Sequence, residues 1–179
     1  MFSVYILQDF LKFKDKKTEI GTFLKDKTLI FDSVLYALLN YNGIKCKVIK
    51  PLGIERDFEL KAKQNTSLVY APIITFSSNP SVSFIYTDCT ESFSKSFRLA
   101  ALLRNERSDL YKDRVTFINP LKCTDYLADF SPIVFDIMRI DDEKNPSKCD
   151  DPILSAVITA KAFCEFYGIQ FKNDNFMHI

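Results

Sequence analysis

Residues Leu68 to Phe76, LVYAPIITF, are almost entirely apolar. A run this short falls well below the ~20 residues of a membrane-spanning helix. It suits a β-strand covered on both faces, the situation of a strand at the centre of a largely parallel sheet. The surrounding segments supply neighbours for it. Ser3 to Leu7 is a short β-type run, and Ile44 to Ile49 alternates as a strand should before ending at Pro51. Asn79-Pro80 breaks the chain ahead of a strand at Val82 to Thr87. Val115 to Ile118 is a further strand, closed by Asn119-Pro120, and Pro132 to Ile137 is the last central one.

Helical spacing separates these strands. From about Asp26, the residues Leu29, Ile30, Phe31, Val34, Leu35, Leu38 and Leu39 make one apolar stripe, and Gly43 supplies the stop. Ser92 or Ser94 is placed to cap a second helix carrying Phe93, Phe97, Leu99, Ala100 and Leu103. Asp151-Pro152 opens the best-signalled helix: an acceptor at the cap, proline at the first helical position, and Gly168 just past the end. Its expected apolar face is Leu154, Val157, Ile158, the stem of Lys161, Ala162 and Phe166. The segment Ile54 to Gln64 places Phe58, Leu60 and Ala62 among polar residues and gives little helical signal. Strands alternating with helices predict an α/β three-layer sandwich, with a mostly parallel sheet of about six strands and helices on both faces.

With 179 residues, 47% of them hydrophobic and 17 of them Phe, the chain has material for one substantial core, so residues 1–179 are expected to form a single domain. A formal net charge of +1 lacks the electrostatic footprint of a nucleic-acid binder. The basic stretch Lys12 to Lys17 reads as a solvated loop. The segment Met1 to Leu11 has neither a basic leader nor a cleavage site, so no signal peptide, no membrane span and a cytoplasmic location are expected. Five scattered cysteines without a Cys-x-x-Cys pair suggest free buried thiols.

The single histidine, His178, is the second-to-last residue. Histidine is the usual general base at neutral pH and the commonest neutral metal ligand, so most zinc, serine-triad and cysteine–histidine chemistries lose their central group here.

Three ordered segments nevertheless resemble the zinc-dependent N-acetylmuramoyl-L-alanine amidases of autolysins and phage endolysins. Leu35 to Lys50, LYALLNYNGIKCKVIK, resembles that family's helix, glycine turn and following strand. Ala71 to Leu103 resembles its strand ending Ser-Ile-His-Ala-Asn, its next strand and its Ser-x-x-Leu-Ala helix. Asp113 to Ile169 contains DRV, SPIVFDIM and DDPILSAVITAKAFCEFYGI, similar to the family's Arg-Gly-Val, Pro-Ala-Val-Leu-Val-Glu and closing Gly-Ile helix.

The resemblance implies a zinc held by a histidine after the first strand, a glutamate opening the first helix and a histidine ending the central strand, with a second glutamate as catalytic base. Carried onto this chain, the first histidine falls on Phe10 or Leu11, the helix glutamate near Asp26, the second histidine on Phe76 and the catalytic glutamate on Asp136. Neither Phe nor Leu can ligate a metal. A zinc-bound water becomes nucleophilic near neutral pH only because the metal lowers its pKa, so no catalytic residue, metal or other cofactor is expected.

The first expectation is therefore a catalytically inactive amidase-like pseudoenzyme that binds a protein partner or a cell-wall (peptidoglycan) fragment. The alternatives are a divergent peptidoglycan amide hydrolase using carboxylates such as Asp26, Asp88 and Asp136, and a structural or assembly protein. Phe76 and Asp136 are expected at adjacent strand ends on one edge of the sheet.

Overall fold

In the computed structural model, which describes residues 3–7, 19–49, 68–76, 82–86, 90–111, 115–118, 133–140 and 151–174, the apolar run Leu68–Phe76 is strand β3, third in a six-stranded sheet. The other strands are β1 (Ser3–Leu7), β2 (Lys45–Ile49), β4 (Val82–Tyr86), β5 (Val115–Ile118) and β6 (Ile133–Ile140), and the spatial order is β2-β1-β3-β6-β4-β5. β2, β1, β3 and β6 run parallel. β4 pairs antiparallel with β6 and parallel with β5, so the last two strands run opposite to the first four. The largely parallel sheet is thus present, with one reversal that apolar patterning does not encode, because strand direction leaves the period of side-chain alternation unchanged.

Three helices, α1 (Glu19–Tyr41), α2 (Thr90–Tyr111) and α3 (Pro152–Phe166), share one core with the sheet. Val4, Ile6, Leu68, Tyr70 and Val134 meet Phe31, Leu35, Leu38 and Leu39 of α1, Leu99, Ala100 and Leu103 of α2, and Ala156, Ala160 and Phe163 of α3. Each large aliphatic or aromatic side chain fully buried this way stabilises by roughly 1.5–3 kcal/mol. α3 lies between α1 and α2, and its alanines keep that contact thin enough for helix axes to approach.

Two expectations about helix faces are corrected. Leu29 and Ile30 are 40% and 43% exposed, while Phe31, Leu35, Leu38 and Leu39 face the core. The inward stripe follows the 3.6-residue period and leaves its two earliest apolar positions outside. α3, flanked on two sides, buries Ser155, Ala156, Ile158, Thr159, Ala160, Ala162, Phe163 and Cys164. Lys161 stays exposed and pairs with Glu106 of α2 at 2.6 Å.

The end signals behave as their chemistry requires. Asp151 caps α3, accepting from the amides of Ile153 at 2.8 Å and Leu154 at 3.4 Å, ahead of Pro152. α1 and α3 finish alike: Gly43 (φ 78°) and Gly168 (φ 69°) take the left-handed conformation. The next amides, of Ile44 and Ile169, bond back to Leu39 O at 2.9 Å and Cys164 O at 2.7 Å. Past α3, the segment up to Asp174 returns to the end of α1. There the Asn42 amide accepts from the Lys172 N–H at 2.7 Å and donates to the Lys172 carbonyl at 2.9 Å.

Candidate functional site

Because β3 and β6 are parallel neighbours, their carboxyl ends lie on one edge, and Phe76 pairs in register with Ile140. Ligand sites of open α/β sheets form outside such carboxyl ends. Phe76 is the last residue of β3 and stands at this edge. Asp136 does not: it pairs with Pro72, four residues below the Phe76 register, roughly 13 Å along the strand. The two lie on adjacent strands, as expected, but only one is at a strand end. β6 continues to Ile140 because Ile137, Met138, Arg139 and Ile140 still pair with β3.

Asp136 instead anchors a buried polar cluster, with no exposed side-chain surface. Arg107 of α2, equally buried, donates from Nη1 to Asp136 Oδ1 at 2.6 Å. The Tyr70 hydroxyl of β3 donates to Asp136 Oδ2. Arg107 Nη2 donates to the Thr159 hydroxyl of α3, and that hydroxyl donates onward to the Ser155 carbonyl at 2.8 Å. Burial, and then the negative charge of Asp136, hold the Tyr70 phenol well above its usual range, so it remains a donor. Its ring meets Phe163 edge-on, centroids 5.3 Å apart.

Both carboxylate oxygens are thus engaged, one by a guanidinium and one by a phenol, beneath a protein surface without solvent access. Such a cluster joins four elements (α2, β6, β3 and α3) through charge-assisted hydrogen bonds.

The remaining sequence candidates do not gather around it. Asp26 is exposed on α1, seven residues past the helix start, roughly 10 Å along the axis. The carboxylate-bearing residue that opens α1 is Glu19. In a β1–α1–β2 crossover between parallel strands the helix starts from the carboxyl edge, so the backbone of Glu19 lies nearer that edge than that of Asp26. Gly21 lies inside α1, two residues past its start, where glycine lowers local helix propensity. Phe10, Leu11, Asp88 and His178 lie outside the described residues.

Arg107, Tyr70 and Thr159 were missed. Arg107 continues the inward α2 stripe of Ser96, Ala100 and Leu103 at helical spacing, and a charged residue on an apolar stripe is a signal of a buried partner. The described cysteines agree with the free-thiol expectation: Cys46 and Cys164 form no disulfide. Burial pushes the Cys164 thiol to about 11, and burial followed by the charge of Asp32 pushes Cys46 to about 12. Among the described residues no group of three or more His, Cys, Asp or Glu side chains is arranged to hold a metal ion, and no helix is long and apolar enough to cross a membrane.

The architecture has close parallels among solved structures. The N-acetylmuramoyl-L-alanine amidase AmiC2 of Nostoc punctiforme superposes with a TM-score of 0.64 at 17% identity, covering 93% of this chain and 97% of that one. The catalytic domain of the amidase CwlV from Bacillus (Paenibacillus) polymyxa var. colistinus gives 0.61 at 12% identity, over 95% and 100% of the two chains. This is the amidase fold. A third N-acetylmuramoyl-L-alanine amidase, from Clostridium difficile 630, matches with a TM-score of 0.58 at 15% identity, over 93% and 97%. No family model matches the sequence and no curated protein matches it. The likeness to amidases is one of fold, carried by the path of the chain.

Proposed function

We propose that this chain is a non-catalytic protein on the amidase fold, acting by binding a protein partner or a peptidoglycan fragment. The observation that carries this is what stands at the sheet's carboxyl edge: β3 ends in Phe76, where the resemblance calls for an imidazole. The only histidine of the chain is His178, and the residue matched to the catalytic base, Asp136, is sealed against Arg107 and Tyr70. Glu19 retains a carboxylate at the helix start. One carboxylate does not make the three-ligand set from which tetrahedral zinc activates water, so the donors do not fit the metal.

The divergent-hydrolase alternative draws less support. Of its carboxylates, Asp26 is exposed on α1 and Asp136 is enclosed in the core, so these two do not converge. The three-layer form of the fold belongs to the same proposal. Val69 and Ala71, which alternate with the helix-facing Leu68 and Tyr70, are also buried, and this supports a covering layer on the second face.

The deciding experiment is elemental analysis of purified protein with a muropeptide-release assay in the presence of added zinc. The expected result is no stoichiometric zinc and no release. One zinc per chain with chelator-sensitive release would replace this proposal with a divergent hydrolase.

A further inference from the structure

Asn42-Gly43 is the chain's one Asn-Gly step, and it sits just past α1, where the segment after α3 returns. Gly43 leads directly into β2, so the step lies at the amino edge of the parallel strands, away from the carboxyl edge where β3 ends. Asn-Gly is the pair most prone to spontaneous loss of the asparagine amide, because glycine has no Cβ to keep its backbone nitrogen from the preceding side-chain carbonyl. In that reaction the Gly43 nitrogen attacks Asn42 Cγ and gives up its proton, and the Cγ–Nδ2 bond breaks as ammonia leaves. Water then opens the cyclic imide at either carbonyl, leaving aspartate or isoaspartate at position 42.

The fold holds both reacting groups in place. Asn42 is 8% exposed. Its Nδ2 donates to the Leu38 and Lys172 carbonyls, each at 2.9 Å, and its Oδ1 accepts from the Lys172 N–H at 2.7 Å. The attacking N–H of Gly43 is itself engaged, with Asn40 O at 3.0 Å. Attack requires the Asn42 side chain to turn away from these partners, so Lys172 must first move off.

Conversion destroys the seat that Lys172 occupies. A carboxylate has no donors, so one of its oxygens would face the Leu38 and Lys172 carbonyl oxygens that the amide now holds. It would also bring a negative charge to the C-terminal end of α1, where the helix dipole is itself negative. Ile169 and Phe171, which pack against the core from the same segment, lose the anchor beside them.

We propose that Asn42 is a deamidation site gated by residues 169–174: the amide survives while Lys172 is seated, and each opening admits a conversion that prevents reseating. A reversible fluctuation is thereby recorded as a permanent covalent change, made without an enzyme.

The test follows the full chain at mildly alkaline pH by peptide mapping, reading amide-to-acid conversion and isoaspartate at position 42. In denaturant, Asn42 should convert well ahead of Asn40, which precedes the bulkier Tyr41. In the folded chain Asn42 should convert at least about tenfold more slowly than in denaturant, because reaction then tracks the small open population. Lys172→Pro removes the N–H that Asn42 accepts, at an exposed position. It should speed conversion in the folded chain about fivefold, the factor expected from one lost hydrogen bond. Phe171→Ala loosens the same segment without touching Asn42 and should act in the same direction. In Asn42→Asp the Lys172 amide should lose its hydrogen-exchange protection while β3 amides keep theirs. No conversion in denaturant, equal rates in folded and denatured chains, indifference to both Lys172→Pro and Phe171→Ala, or a Lys172 amide still protected in Asn42→Asp would each overturn the proposal.

Discussion

Arg107 of α2 and Asp136 of β6 form an ion pair at 2.6 Å in which neither side chain is exposed. Removing one member of a buried pair leaves the other charged and without its counterion, typically at a cost of about 3–5 kcal/mol. Arg107→Met and Asp136→Leu should each destabilise by that order, measured by chemical denaturation. The double variant should recover part of the loss, because both charges then leave the core together. A double variant as unstable as the sum of the singles would show that the two residues do not act as a pair.

Alkaline pH should weaken the fold. Tyr70 is held well above 10, Tyr167 and Cys46 to about 12, and Cys164 to about 11, against ordinary values of 10.0 for tyrosine and 9.0 for cysteine. These groups are kept protonated in the folded chain and ionise more readily when unfolded. Their stabilisation is complete below the unfolded values and is lost as pH rises through the folded ones. Stability should therefore begin to fall near pH 9 and continue to fall towards pH 12. Cys46→Ala should flatten the first part of that decline in a series of denaturation midpoints.

Ile158, 8% exposed on α3, should tolerate Val but not a charge. Ile158→Asp buries a carboxylate and should cost roughly 3 kcal/mol or more. A thermal midpoint unmoved by the change would be incompatible with the burial of this side chain.

Asn42 ties Lys172 to the end of α1 by accepting from its N–H and donating to its carbonyl, besides donating to Leu38 O at 2.9 Å. Asn42→Ala removes all of these and should cost roughly 1–3 kcal/mol. Hydrogen exchange offers a sharper check than global stability: the Lys172 amide should lose protection in the variant, while core amides of β3 should change no more than the global loss dictates.

Much of the scaffold is legible in the residues. The apolar run of β3, the Asp151-Pro152 opening of α3 and the glycines at 43 and 168 each act through a local physical rule, and each took its expected place. What the local rules could not supply was pairing over distance. Asp136 lies 66 residues from Tyr70 and 29 from Arg107, and nothing local to any of the three announces the others. Its assignment to a strand end failed for the same reason, since the length of β6 is set by pairing with β3 and not by its own sequence. The reversal of β4 and β5 was likewise invisible, because alternation reports which face is buried and is silent about direction.

The place of β6 between β3 and β4 also bears on how a ribosome must deliver this molecule. The strand that joins the two parts of the sheet is the last of the six described strands to emerge, so until residue 140 has left the exit tunnel both β3 and β4 lack the neighbour on which they close. Nascent chains shorter than this carry two apolar strand edges with nothing native to pair with, a state in which chains associate with one another. Synthesis in stages should therefore yield a species held by chaperones up to the arrival of β6, followed by closure of the whole sheet in one late cooperative step.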